Sequence, residues 1–508
     1  MVYKLSIFIT LLFVLWGALA PDNLGTVSQE AFSFSIKNFG WLYLFLALGF
    51  LIFALYLAFS KFGTIRLGSD DDEPEYSNHS WFAMLFSAGM GIGLVFWGVA
   101  EPISHYINPP FGEAGTPEAA RVAIRYSFFH WGLHPWGIYT IISLSLAYFQ
   151  YRKGCKGLIS STFYPLLKEK VNGPIGKLID TLAVIATVFG VATSLGLGAL
   201  QINGGLTHLF GISISTIWQI AIITVVTFLY LISATTGLNK GILLLSNGNL
   251  ILAVALLIFT LVLGPTSFLL DTFTLSLGSY IQNLLQMSLR LTPFQNSPWI
   301  GNWTLFYWAW WIAWAPFVGM FIARVSKGRT IKEFVLGVLL IPSLFSFIWF
   351  SIFGGTALHL QMFEGKKIAQ AVQNDITSAL FITLEGLPLG AIMSVVATLL
   401  IITFFITSAD SATFVLGMLS SEGKLNPSNK VKISWGILQS SIAIVLLLSG
   451  GLQSLQTASI ITALPFGIIM AFMCISIYRA LNQEAKMARM QEKIRRKKLD
   501  QLLNEKTE

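Results

Sequence analysis

Segments of about 20 mostly apolar residues, the length a helix needs to cross a hydrocarbon core roughly 30 Å thick, recur from one end of this 508-residue sequence to the other. Twelve such windows can be placed, near 5–20, 41–60, 81–108, 122–150, 178–207, 214–233, 240–263, 299–324, 331–354, 389–418, 432–450 and 455–478. They are apolar on all faces and lack the period-two polarity of membrane-barrel strands. The expected class is therefore an all-α integral membrane protein with twelve transmembrane helices. With 55% hydrophobic and 11% charged residues and a mean hydropathy of +0.71, the chain has more apolar surface than a soluble core of this length can hide.

The formal net charge of +8 is informative through its distribution. With a cytoplasmic N-terminus, only Lys37, Arg121, Arg125, Arg290, Lys366 and Lys367 fall outside, and the other 26 of the 32 Lys and Arg lie in inner loops and tails. By the positive-inside rule both termini are expected in the cytoplasm of a cell (cytoplasmic) membrane protein, and no nucleic-acid partner is needed to explain the charge. Two cysteines, Cys155 and Cys474, cannot build an extracellular disulfide framework. Lys4, the apolar run behind it and Ala18-Leu19-Ala20 resemble a cleavable signal peptide. Pro21 stands where the scissile amide would be, so an uncleaved first span is expected.

Residues 1–60 read as two peripheral spans and 61–80 as an acidic inner loop containing SDDDEPE. The other ten spans divide into two sets of five, 81–265 and 299–480, joined by an amphipathic outer connector over 266–298. Each set opens on an unusual helix: three glycines in five positions in the first, dense aromatics and Pro316 in the second. Special helices at corresponding places in two halves are a sign of inverted repeats around a midplane site. Outer stretches near 268–292 and 360–386 read either as helices lying on the membrane surface or as solvated connectors. Residues 481–508 form a basic tail with Arg495, Arg496, Lys497 and Lys498. Such a cluster is drawn to anionic lipid, either as a simple anchor or as a regulatory sensor of ionic strength.

The strongest local signal is WTLFYWAWWIAW, residues 303–314, in which seven of twelve residues are aromatic. On a helix Trp303, Tyr307, Trp310 and Trp314 share a face, with Trp311 beside them. An interfacial belt does not need five tryptophans on one helix, so a ligand box is the better reading. A trimethylammonium group is bulky, cationic and unable to donate hydrogen bonds. Several indole faces can enclose it, each contributing about 0.5–2 kcal/mol when desolvated. The third and eighth spans are expected to offer no Asp or Glu at mid-depth, which suits a zwitterion of zero net charge.

In the third span, Gly89, Gly91 and Gly93 at alternate positions should open the helix, since each glycine costs about 1 kcal/mol against alanine. Freed N–H groups there can meet a carboxylate and freed carbonyls a cation. The six histidines are scattered, with no HExxH motif and no paired intramembrane carboxylates, which argues against an intramembrane enzyme. His130 and His134 are spaced to share a metal but read as packing residues. A closed aromatic box argues for saturable uptake over channel conductance.

The stretches FSAGMGIGLVFWGVAEP (86–102), FHWGLHPWGIY (129–139), ATVFGVATSLGLGALQ (186–201), WTLFYWAWWIAWAPFVGMFIARVSKGRTI (303–331) and FFITSADSAT (404–413) together resemble the betaine/choline/carnitine transporter family, especially its sodium-coupled glycine betaine carriers. The resemblance runs from residue 41 to about 480. It implies a sodium-symporter-like core of two five-helix inverted repeats behind two extra helices, commonly as a homotrimer. The implied activity is osmoprotective import of a small zwitterionic substrate with sodium ions and no cofactor.

The implied aromatic box is Trp310, Trp311 and Trp314 with Trp131, Trp136 and Tyr139, and Pro135 is expected to bend the fourth span towards the ligand. Ala88, Gly89, Met90 and Gly91 would receive the carboxylate end. One implied sodium site comprises Ser87, Met90 and Phe404 through backbone oxygens and Thr407 and Ser408 through hydroxyls. A second resembles Thr187 with Phe317, but Val191 stands where betaine carriers tend to have a threonine, with Thr193 or Ser194 as candidates to compensate. Proton-coupled choline carriers place an aspartate where this chain has Gly93. With glycine there, betaine is favoured over choline and sodium over protons, with proline betaine, ectoine, proline and carnitine as the alternative substrates. The fifth span holds no Lys or Arg of the kind found in sodium-independent exchangers.

Overall fold

A computed structural model describes residues 1–89, 91–236, 239–295 and 297–505, with backbone alone at 88–89, 239–243, 499 and 502–505. The described chain is a helical bundle. Among the described residues nine helices are long and apolar enough to span a bilayer, or ten if one bent pair counts as a single span. Among the described residues the only β pairing is an isolated bridge, Arg66 to Thr330.

The N-terminal pair is α1 (Val2–Leu19) and α2 (Pro21–Phe59), hinged at Ala20. Helix α1 turns Ser6, Thr10 and Gly17 inward and exposes Phe8, Leu11, Leu12 and Leu15. Small and weakly polar residues in the contact with large apolar ones outside is the polarity expected in lipid. Helix α2 begins at Pro21, well before the apolar window; at 1.5 Å per residue its 39 residues extend about 58 Å, nearly twice the hydrocarbon thickness.

The third span is two pieces, α3 (Asn78–Gly89) and α4 (Ile92–Ile107), whose segments 78–87 and 92–107 lie 65° apart. Gly91, with extended backbone, precedes α4. The fourth is also broken, into α5 (Pro117–Trp131) and α6 (Leu133–Ala147) at Gly132. A Cβ at Gly132 would sit 2.5 Å from the Phe128 oxygen and 2.7 Å from the Phe347 ring, so only glycine fits. The expected bend at Pro135 is therefore displaced by three residues. Pro135 lies in the first turn of α6, where its missing N–H belongs to the groups a helix leaves unbonded anyway.

A short α7 (Tyr164–Leu167) leads into α8 (Pro174–Phe210), followed by α9 (Thr216–Thr236) and α10 (Asn239–Leu263). The expected amphipathic connector is a helix, α11 (Thr266–Ser288). It supports the break in the fourth span: the Leu133 N–H donates to the Tyr280 hydroxyl at 3.2 Å, and Ser288 Oγ is 2.9 Å from His134 Nε2. Helices α12 (Phe306–Val325) and α13 (Ile331–Phe363) follow, the latter opened by a capping box of Thr330 and Glu333. The 360–386 stretch folds as α14 (Ile368–Asn374) and α15 (Ala379–Glu385) before α16 (Gly390–Ser420).

Helix α17 (Asn429–Glu505) covers the last two expected spans and the tail. Gly450 and Gly451 break it, and Gly451 at φ 62° takes a left-handed conformation that favours glycine. Burial separates centre from rim: 89% of the most apolar window of α8 and 78% of that through α12 are enclosed, against 22% in α1, in α9 and in Leu244–Leu263. The chain is a multi-pass membrane protein whose most enclosed long spans are α8, the one through α12, and α13.

Candidate functional site

Between the glycine break of the third span and helices α12 and α16 lies a cavity of about 300 Å³. That is the small end of the range for ligand pockets, about 300–1,000 Å³, and suits a compact solute. Trp310, Trp311 and Trp314 from α12, Trp131 from the end of α5 and Tyr139 from α6 line it. Trp310 and Trp311 stack at 4.9 Å and 17°, with Trp131 edge-on to Trp311 at 4.8 Å and Tyr139 edge-on to it at 6.1 Å. Trp136 is not part of the lining; it packs behind Tyr139, 5.4 Å from its ring. The aromatic stripe that runs from the turn at 301–305 into α12 thus divides by depth. Trp303 and Tyr307 pack on α4 near Trp97, while the three later tryptophans meet the cavity.

The indole N–H groups fix this wall. Trp314 Nε1 donates to the Gly190 oxygen at 2.8 Å, Trp311 Nε1 to the His130 oxygen at 2.9 Å, and Trp131 Nε1 to Glu101 Oε2 at 2.9 Å. The last contact corrects the expected absence of a carboxylate. Glu101, on α4, is fully buried behind the box, with Oε1 2.6 Å from His130 Nδ1 and 3.2 Å from His105 Nε2 and Oε2 accepting from the Tyr307 hydroxyl at 2.5 Å. Its position near the outer end of the window hid it, although an ionisable residue inside a span is itself a functional signal. His134 stacks on Trp308 at 5.2 Å, and His130 turns to Glu101 and to Thr304, so the two share no metal-binding geometry.

Of the backbone expected at the carboxylate end, Gly91 lines the cavity. Met90 lies outside the described residues, as do the side chains of Ala88 and Gly89. The other proposed members of the first cation site, Ser87, Phe404, Thr407 and Ser408, line the same cavity. Thr407 Oγ1 donates to the Thr403 oxygen at 3.0 Å and accepts from Asn249 Nδ2 at 3.2 Å. Asn249, on α10, also lines the cavity, a polar residue in an apolar span that sequence reasoning missed.

The residues of the second proposed site are not brought together in the same way. Phe317 lines the cavity, but Thr187 is fully buried away from it with Oγ1 donating to the Ala183 oxygen at 2.7 Å. Thr193 is engaged by the Leu455 oxygen and Ser459 Oγ of α17, so it does not replace the missing threonine at Val191; Ser194 does reach the cavity. Arg495, Arg496, Lys497 and Lys498 are exposed along the end of α17.

Comparison with known proteins follows the same lines. The model of the betaine/carnitine/choline transporter family matches residues 1–486. The chain is 56% identical to the glycine betaine transporter OpuD of Bacillus subtilis over 97% of its own length and 96% of the relative's. It is 51% identical to a probable glycine betaine transporter of Desulfitobacterium hafniense, over 95% of its own length and 97% of the relative's. An ectoine/hydroxyectoine transporter of Virgibacillus pantothenticus is 50% identical, over 96% and 97% respectively. A match across almost the whole chain, with an aromatic cavity beside a glycine-broken helix, places this protein in the betaine/carnitine/choline family, whose members are transporters and not enzymes.

Proposed function

We propose that this protein imports glycine betaine by sodium symport across the cytoplasmic membrane, accumulating it as an osmoprotectant, with both termini in the cytoplasm and the chain assembled as a homotrimer. The observation that carries the substrate is the lining itself: the rings of Trp131, Tyr139, Trp310, Trp311 and Trp314 all border one small cavity. A methylated ammonium held by indole faces needs no donor from the wall, and its carboxylate faces the glycine-opened end of the third span. Sodium coupling is supported by the hydroxyls of Thr407 and Ser408 on the same cavity as Ser87, because a hard cation prefers oxygen ligands.

Gly93 supports betaine over choline. A Cβ there would lie 2.6 Å from Trp310 Cη2 and 3.1 Å from Trp131 Cη2, so an acidic side chain at this position would need both rings to move. Ectoine is a second reading, favoured by the 50% identity to an ectoine/hydroxyectoine transporter, and its zwitterionic ring fits the same kind of box. Uptake of labelled glycine betaine in cells lacking other osmolyte carriers, challenged with unlabelled betaine, ectoine, choline, carnitine and proline, tests the choice. Competition by betaine at the lowest concentration is expected; stronger competition by ectoine would transfer the assignment to it.

A further inference from the structure

Glu101 is a fully buried charged residue beside the cavity that the transport reading leaves unused. Its two oxygens meet four partners: His130 Nδ1 at 2.6 Å and His105 Nε2 at 3.2 Å on one, Tyr307 Oη at 2.5 Å and Trp131 Nε1 at 2.9 Å on the other. The indole N–H and the tyrosine hydroxyl donate, and each imidazole nitrogen can do so in the appropriate tautomer. Four donors on two oxygens match an ionised, acceptor-only carboxylate. Every one of these side chains is buried. His130 then extends the network, with Nε2 2.9 Å from Thr304 Oγ1 and its backbone oxygen accepting from Trp311 Nε1 at 2.9 Å. The carboxylate therefore holds Trp131 directly and Trp311 through His130, two walls of the cavity at 4.8 Å and 77° to one another.

We infer that Glu101 is a positioning residue that also supplies the box with negative charge, acting through Trp131 without touching the substrate. An indole whose N–H donates to a carboxylate carries more negative potential on its face, and that face is what attracts an onium group. In a water-poor interior the charge also acts through space on the bound cation. Burying a full negative charge in a span is costly, and its four donors offset that cost without cancelling the field. The inference rests on the reading of the cavity as an onium site, and it assigns the preference for cationic heads to a residue outside the cavity wall.

The test is Glu101→Gln, which keeps a hydrogen-bond acceptor for Trp131 and removes the charge, set beside Glu101→Asp, which keeps the charge. In proteoliposomes KM for glycine betaine is expected to rise about tenfold in E101Q with maximal rate nearly unchanged, and to stay within about twofold in E101D. Inhibition by 3,3-dimethylbutanoate, which replaces the ammonium nitrogen by carbon and leaves a net anion, should not weaken in E101Q. Equal weakening of betaine and the carbon isostere, or equal effects of the two substitutions, would reduce Glu101 to a purely structural part and overturn the inference. Should E101Q not fold, Trp131→Phe keeps a ring and cuts the link to Glu101. It must then weaken betaine more than the isostere, and an equal loss again overturns the inference. Failure of the wild-type protein to transport any onium substrate would instead remove the transport reading beneath it.

Discussion

Trp314 shows how one side chain serves both wall and scaffold, since its ring lines the cavity while its Nε1 holds the Gly190 oxygen of α8 at 2.8 Å. Replacing it by leucine removes a cation–π face worth about 0.5–2 kcal/mol, so KM for betaine is expected to rise about 2- to 30-fold from that contact alone. Concentration-dependent uptake together with thermal unfolding in detergent separates lost affinity from lost folding; unchanged KM in a folded variant would contradict the box. At this scale the sequence identified residue types well and their partners poorly. Spacing put Trp303, Tyr307, Trp310 and Trp314 on one face with Trp311 beside them, because helical periodicity is local, and the resemblance narrowed that stripe to Trp310, Trp311 and Trp314. Trp136 and Thr187 were assigned to sites by resemblance and Thr193 was a candidate to compensate for Val191, and the side-chain directions that turn them elsewhere depend on contacts with Tyr139, Ala183 and α17. Glu101 and Asn249 were missed because their meaning arises from residues far along the chain, Tyr307 for one and Thr407 for the other.

Elements show the same division between local and distant causes. The glycine run announced the break in the third span, whereas the break at Gly132 follows from the approach of Phe347 on a distant helix and from Tyr280 satisfying the Leu133 N–H. Helix α17 offers a separate test. Where it leaves the bundle, Glu484 accepts from Tyr148 Oη at 2.7 Å, from Lys153 Nζ at 2.5 Å and from Arg152 Nε, and Arg152 Nη2 reaches Asp70 at 2.7 Å. Burial alone would raise the Glu484 carboxyl, but the hydrogen bonds of Lys153, Tyr148 and Arg152 and the Lys153 charge outweigh it and hold it below the usual carboxylate range. A lowered pKa means the clamp stabilises the anchoring of α17 at Glu484 at neutral pH and is lost as pH falls through the folded-state value. A spin label at Ile494→Cys, with Cys155 and Cys474 replaced, should be restrained at pH 7 and freed by Glu484→Gln or by acid. Equal mobility in both chains at pH 7 would show that the clamp does not dock the basic tail.

On the scale of the whole molecule, hydropathy gave an all-helical membrane protein because lipid leaves the backbone few other choices. It was less able to count spans. Two expected spans are broken helices, α3 with α4 and α5 with α6, so windows of apolar residues and unbroken helices do not correspond one to one there, whereas the last two expected spans are separated by the kink at Gly450 and Gly451. Both broken spans contribute to the cavity, through Ser87, Gly91 and Gly93 in one and Trp131 and Tyr139 in the other. Breaks that would be costly in lipid are tolerated where irregular backbone lines a cavity inside the protein. The central claim is that this chamber couples an onium solute to sodium. Purified protein in liposomes, given labelled glycine betaine with an inward sodium gradient, is expected to accumulate it above the external concentration and to stop when sodium is replaced by choline-free potassium medium. Equal accumulation driven by a proton gradient without sodium would contradict the account.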